Sequence, residues 1–269
     1  MRAKEGKKNN APMNIQLPTP LAGDVSAITI TSPDLEISLP YYQQLGFTEV
    51  MRADFPFPWI QVSDGALLLM LRKDKDPFIG LTYYAEDMEK ALAALQEAGL
   101  TPVEKPTPHA LIRRYLLLSP DGHPVTLVSN VDGIFKQPPG PTLLTMPPQN
   151  ITNPDMYVNK VCGIFGEFAH PVKDLDSSVV FWEKIGLKVL SKHAVPYPWA
   201  ILSDGLAIVG LHQTSTFSQP TITYFAGDMK ARIERLRSQG TVAMPEATAA
   251  SITITTPENQ KINLFNMGM

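Results

Sequence analysis

The chain reads as an α+β protein of two tandem domains, each a pair of βαβββ modules. Three observations point there. The stretch PFPWIQVSDGALLL from Pro56 is spelled again as PYPWAILSDGLAIV from Pro196, an offset of 140 residues, and similarity at a fixed distance marks a repeated structural unit. An Asp and a Gly stand 12 residues apart four times, at Asp34 and Gly46, Asp87 and Gly99, Asp174 and Gly186, and Asp228 and Gly240. Between those marks apolar residues recur at helical spacing, whereas the flanking segments alternate or run apolar as strands do.

The opening MRAKEGKKNNAPMNIQLPTP has a basic start without the apolar core of a signal peptide, and residues 1–24 are expected to form a disordered extension. AITIT then starts the first domain, residues 25–130, as a strand. Each marker Asp sits where a carboxylate accepts from the free N–H groups of a helix start, and each Gly where the chain must leave the helix with positive φ. Pro40 interrupts the first helical pattern and predicts a kink or a later start. FTEVMRA, WIQVSD and ALLLMLR follow as strands, with Ser63, Asp64 and Gly65 as the hairpin turn. In the second module Met88, Ala91, Leu92, Leu95 and Ala98 make the helical stripe. TPV, ALIRRYLLLS and PVTLVSN then fit three strands, with Pro-Asp-Gly at 120–122 as a turn. Residues 131–162 contain six prolines and no sustained period, which predicts a partly extended linker before the second domain, residues 163–269.

At 269 residues and 44% apolar content the chain is long enough for two ordinary cores. A formal charge of −3 supplies no positive field for a phosphate backbone, so no nucleic-acid partner is expected. No apolar run approaches the roughly 18 residues that cross a bilayer, so no membrane partner is expected either. Cys162 is the only cysteine; it reads as a buried bystander, compatible with the cytoplasmic location we expect.

The paired modules, the Asp-led helices ending at LGF and IGL, and the closing SPDGHPVTLV resemble the vicinal oxygen chelate superfamily, which includes glyoxalase I, extradiol dioxygenases, fosfomycin resistance enzymes and bleomycin-binding proteins. The resemblance covers about residues 25–130 and 163–267. It implies that each pair of modules forms a curved, half-open mixed β-sheet barrel with its helices outside. It also implies, for catalytic members, a divalent metal held by His or Glu on facing strands, with open positions for a substrate's oxygens. In the first domain the corresponding positions hold Ala27, Gly80 and Thr126, so that half is expected to be metal-free. In the second they hold Glu167, Thr221 and Asn263, with His212 ending a neighbouring strand. Glu167 is thus the candidate catalytic residue, as ligand or base, and Glu167 with His212 the candidate pair for a divalent metal. His170 falls on the opposite face of the strand from Glu167.

Trp59 and Trp199 each open a strand after a Pro-aromatic-Pro lead and read as core packing or as stacking walls for a planar ligand. Arg113 and Arg114 point to opposite faces, and Arg114 is taken as the inward one that grips an anionic group. Thr223 and Asn263 complete the ligand-binding candidates. His109, His123 and His193 suit surface roles, and Asp64 and Asp204 suit their Asp-Gly turns. The function expected is binding of a small, partly apolar molecule in a β-sheet cleft without the usual complete metal triad. The alternative is a divalent-metal-dependent lyase or dioxygenase centred in the second domain. Whether modules pair within or between halves, and whether the chain forms a homodimer, stays open.

Overall fold

The computed structural model describes residues 17–106, 111–241 and 251–267. The first half comprises β1 (Val25–Ser32), α1 (Leu35–Gln44), β2 (Thr48–Ala53), β3 (Trp59–Ser63), β4 (Leu68–Lys73), β5 (Ile79–Ala85), α2 (Met88–Glu97), β6 (Arg114–Leu118) and β7 (Pro124–Ser129). A short helix, α3 (Pro148–Ile151), lies in the connection. The second half comprises β8 (Ile164–Pro171), α4 (Leu175–Ile185), β9 (Lys188–His193), β10 (Trp199–Ser203), β11 (Ile208–His212), β12 (Thr221–Ala226), α5 (Met229–Ser238), β13 (Ile252–Thr255) and β14 (Lys261–Asn266). None of these helices is long and apolar enough to cross a membrane.

Among the described residues each half is one seven-stranded mixed sheet, ordered β2-β3-β4-β1-β5-β7-β6 and β9-β10-β11-β8-β12-β14-β13. The first strands of its two modules, β1 and β5, pair antiparallel at the centre, as do β8 and β12. Modules therefore pair within halves. The segment TPV makes no strand: Glu104 forms a single isolated bridge to Leu116. Pro102 and Pro106 flank it and carry no N–H to extend a ladder.

Three of the four marker aspartates cap their helices. Asp34 accepts from Glu36 N at 3.0 Å, Asp87 from Lys90 N at 2.9 Å and Asp174 from Ser177 N at 2.8 Å. Asp228 departs from the pattern, because its Oδ1 accepts from Arg232 Nε at 2.6 Å, and that buried guanidinium also donates to Lys160 O at 2.7 Å. Helix α1 begins at Leu35, level with Leu175 of α4, so Pro40 does not delay it. Pro40 and Glu36, whose carbonyl loses its partner to the proline, both lie on the exposed side, where water substitutes.

Two segments expected to be loose are built into the fold. Of the expected extension, residues 1–16 lie outside the described residues. Leu21 packs on Gly186, Ala22 joins the core, and Asp24 N donates to Tyr84 O at 2.8 Å. In the linker, Phe135, Met146, Tyr157, Asn159 and Cys162 are buried. Asn159 Oδ1 accepts from Val161 N and Cys162 N, while its amide donates to Leu45 O at 3.1 Å. Burial pushes the Cys162 thiol pKa up, as befits a bystander.

The halves join through reciprocal contacts. Tyr83 OH donates to Asp204 Oδ2 at 2.7 Å, and Tyr224 OH donates to Asp64 Oδ2 at 2.5 Å. Each Oδ1 meanwhile holds its own hairpin: Asp64 accepts from Ala66 N and Leu67 N, and Asp204 from Leu206 N and Ala207 N. Turn chemistry thus explains only half of each carboxylate. Farther out, Ser178 of α4 donates to Asp121 at 2.6 Å, and Ser38 of α1 donates to Glu258. His123, expected at the surface, also sits at this join. Its Nε2 donates to Pro171 O at 2.7 Å and its ring meets that of His170 at 4.8 Å. His193 is exposed, and His109 lies outside the described residues. One core runs through both halves, from Ile28, Tyr42 and Leu69 to Phe168, Trp182 and Val209.

Removing the hydroxyl in Tyr83→Phe leaves Asp204 Oδ2 without its partner, whereas Asp64 Oδ2 keeps Asn159 Nδ2 at 3.2 Å when Tyr224 is changed. Urea unfolding is therefore expected to show Tyr83→Phe losing about 2–3 kcal/mol and Tyr224→Phe about 1–2 kcal/mol; the reverse order would contradict this assignment. A second prediction concerns His170, which is fully buried with neither ring nitrogen bonded among the described residues. Burial first, then the nearby His123 and His212, hold its pKa well below the ordinary 6.5. The unfolded ring gains a proton below pH 6.5 and the folded ring does not, so its contribution is full above pH 6.5 and falls as pH drops. Between pH 7.5 and 5.5 it should cost on the order of 1 kcal/mol. Unfolding curves of wild type and His170→Leu at both pH values check this, because the variant lacks that part of the pH dependence.

Candidate functional site

Alternation along the central strands sends Ala27, Thr29, Thr82, Tyr84 and Thr126 to the concave face of the first sheet, in register across β1, β5 and β7. Met70 and Arg72 join them from β4, Trp59 from β3 and Arg114 from β6. The β-sheet bends around a cavity of about 680 Å³ whose far wall comes from the linker residues Val131, Ile134 and Phe135. That volume suits a small organic molecule. Phe135 stacks on Tyr84 with centroids 4.1 Å apart and lies 5.8 Å from Trp59. The indole N–H of Trp59 donates to Phe55 O at 3.2 Å, which fixes the ring against the lead-in loop.

The polar groups of the cavity are few. Arg72 places its guanidinium 5.2 Å from the ring centres of both Phe57 and Phe78, and Arg114 approaches Phe78 at 5.8 Å. Its neighbour Arg113 points outward to Glu89 at 3.5 Å. On the floor Thr29 Oγ1 and Thr82 Oγ1 share a hydrogen bond of 2.7 Å. Thr126 Oγ1, Gln61 Nε2 and Arg72 Nε are buried without partners among the described residues. Burial, then Arg114, lowers the Arg72 pKa, while Asp74 pulls it the other way.

In the second half the equivalent face gathers Glu167, His212 and Trp199. His212 Nε2 lies 3.2 Å from Glu167 Oε1, and its Nδ1 lies 3.4 Å from the Tyr197 hydroxyl. Trp199 lies between His193, stacked at 4.2 Å, and His212, stacked at 6.2 Å. Thr223 stands opposite Glu167, and Asn263 opposite Thr223, in consecutive strands. Glu167 Oε2 and Thr223 Oγ1 are buried and have no partner among the described residues. Gly210 makes this possible, since a Cβ there would overlap Glu167 Oε2.

This donor set does not fit the three-ligand metal centre that the fold's catalytic members use. Glu167 and His212 supply one carboxylate and one imidazole, Thr223 offers only a hydroxyl, and Asn263 Oδ1 already accepts from Thr253 Oγ1 at 2.7 Å. Among the described residues no three His, Cys, Asp or Glu side chains converge.

Of the candidates read from sequence, Trp59 and Arg114 line the cavity, and Glu167, His212, Trp199, Thr223 and Asn263 share the other concave face. Arg72, Phe57, Phe78 and Phe135 were not singled out. Arg72 carries one signal, its period-two register with Met70 at the end of an apolar run; Phe135 carries none, being placed by the path of the linker.

Two halves of paired modules around concave sheets, with helices outside, are the arrangement that the resemblance to the vicinal oxygen chelate superfamily implies. Among solved structures the chain is similar to the 2,3-dioxygenase LapB from Pseudomonas sp. KL28, with TM-score 0.59 and 16% identity over 94% of both chains. A catechol 2,3-dioxygenase gives TM-score 0.53 and 13% identity over 93% of this chain and 92% of that one. Homoprotocatechuate 2,3-dioxygenase from Brevibacterium fuscum, as its E323L mutant, gives 0.55 and 16% over 92% of this chain and 72% of that one. At these identities the likeness is one of fold. The sequence matches no protein-family model and no curated protein.

The first half has Ala27 on β1 and Met70 on β4 where the second has Glu167 on β8 and Gly210 on β11, so bulk has changed places between neighbouring strands. Gly210→Met alone is expected to cost about 1–3 kcal/mol by overpacking against Glu167. Glu167→Ala with Gly210→Met should recover at least half of that loss in urea unfolding, a coupling that two independent sites do not show.

Proposed function

We propose that the protein binds one small, partly apolar molecule in the concave cavity of its first half, and that this binding is its primary biochemical task. The observation that carries the reading is the cavity itself: about 680 Å³ walled by Trp59, Tyr84, Phe135 and other rings, with only a few polar groups aimed inward. Sites of that size and lining hold small organic ligands, the rings supplying contact area and the scarce polar groups supplying orientation. The rim supports it too, because Phe55 and Leu111 are 63% and 74% exposed where soluble surfaces usually show polar residues. In the second half the equivalent Glu167 meets His212 instead of leaving an open apolar wall, so binding is assigned to the first.

The test uses a neutral, apolar fluorescent probe, N-phenyl-1-naphthylamine, titrated into the full-length protein. One equivalent is expected to bind saturably and to alter tryptophan emission through Trp59. Trp59→Phe should keep the stoichiometry by calorimetry while losing most of that optical signal. Met70→Trp, which fills the cavity, should weaken binding about tenfold or more, equivalent to about 1.4 kcal/mol. If neither this probe nor any aromatic acid binds saturably, the reading is wrong.

A further inference from the structure

The lining of the first-half cavity contains two arginines and, among the described residues, neither Asp nor Glu. Arg72 is only 12% exposed at its side chain; its Nη2 reaches Asp74 at 3.2 Å, but that carboxylate stands at the rim, 39% exposed. Its Nε faces no partner among the described residues. Arg114 has no carboxylate within 4.0 Å among the described residues, while Arg113 beside it has Glu89. Both cavity guanidiniums converge on one ring, that of Phe78, at 5.2 and 5.8 Å. Rings covering a guanidinium leave its N–H edge, rather than its face, for a partner, and that edge matches a planar carboxylate with two parallel hydrogen bonds.

We propose that the cavity takes an aromatic carboxylate, with the carboxylate held by Arg72 and Arg114 and the ring lying against Trp59 and Phe135. This rests on the reading of the first-half cavity as a binding site and names its ligand class. The charge balance argues for the acid: two cations share an apolar enclosure with one peripheral counter-charge, and an incoming anion relieves both their desolvation and their mutual repulsion. The lining argues for the aromatic body, since Trp59, Tyr84 and Phe135 present ring faces and edges within one wall. The floor argues for a second, uncharged polar group on the ligand. Thr126 Oγ1 is buried with no partner beside the Thr29 and Thr82 pair, and it offers both a donor and an acceptor.

The experiment compares naphthalene-2-carboxylate with its neutral isostere 2-naphthamide, by calorimetry on the full-length protein at pH 7.5. The acid is expected to bind at least tenfold more tightly than the amide. In Arg114→Gln that preference should shrink severalfold, and Arg72→Gln should do the same if it stays folded by circular dichroism. The comparison of acid with amide in the wild type needs no variant, so a variant that fails to fold leaves the proposal testable. Equal affinity of the two compounds, or a preference untouched by Arg114→Gln, overturns the carboxylate assignment and leaves the cavity reading standing. Binding of neither compound nor of the neutral probe overturns both.

Discussion

Two buried turn carboxylates, Asp64 and Asp204, hold this molecule in its shape. Each divides its oxygens between two tasks, one fastening its own hairpin and the other receiving a tyrosine hydroxyl from the opposite half. A carboxylate in such a place is costly unless its lone pairs are filled. Only one docking of the halves fills them, so the hairpin that closes each first module also sets where the other half must lie. Burial raises the Asp204 pKa and the Tyr83 hydrogen bond opposes that rise, which locates the competition between desolvation and pairing in a single contact. The shared core follows, because halves fixed in this register present Ile28 and Leu69 to the same interior as Phe168 and Val209.

With the convex sides committed to that core, the concave faces are free to differ. They do so at equivalent strand positions. Ala27, Met70 and Arg72 in one half correspond to Glu167, Gly210 and His212 in the other. The second combination closes on itself, because a carboxylate filling the space above a glycine reaches the neighbouring imidazole. The first leaves a small methyl beneath an aliphatic thioether, and its long cation extends along the wall. An imidazole and a guanidinium at the same position thus face inward with different consequences, since only one has an inward acid to meet.

Much of the fold was legible because its signals are local. The helix starts at Asp34, Asp87 and Asp174, the positive-φ glycines at their ends and the Asp-Gly hairpins depend on neighbours within a few residues. The site was legible only in part. Alternation within a strand places Trp59, Arg114, Glu167 and His212 on concave faces, but it does not say which long side chains converge across a bent sheet. Asp64 and Tyr224 lie 160 residues apart, and nothing near either residue announces the other. The linker misled for the same reason: its six prolines bear only on the local backbone, where Pro148 and Pro154 open short helical turns, and burial of Phe135 and Asn159 is decided by surfaces the linker passes over. Asp228 shows that even a local rule yields when a buried guanidinium outbids a backbone amide for the carboxylate.

The electrostatics of the open half follow from the same division between faces. Strand alternation that satisfies the core leaves odd-numbered positions of β1 and even-numbered positions of β4 and β5 lining the hollow, and two of its lining positions are filled by arginine. Aromatic rings at Phe57 and Phe78 offset some of the desolvation, as a ring quadrupole does for a cation within about 6 Å. They do not neutralise charge. The field inside an apolar, partly enclosed hollow is screened less than at the surface, so the two guanidiniums act on each other as well as on whatever enters. In the proposed binding role, a cationic molecule would meet repulsion from both sides and a neutral one would leave the buried Arg72 Nε unsatisfied, whereas an anion with an apolar body would answer the rings and the guanidiniums together.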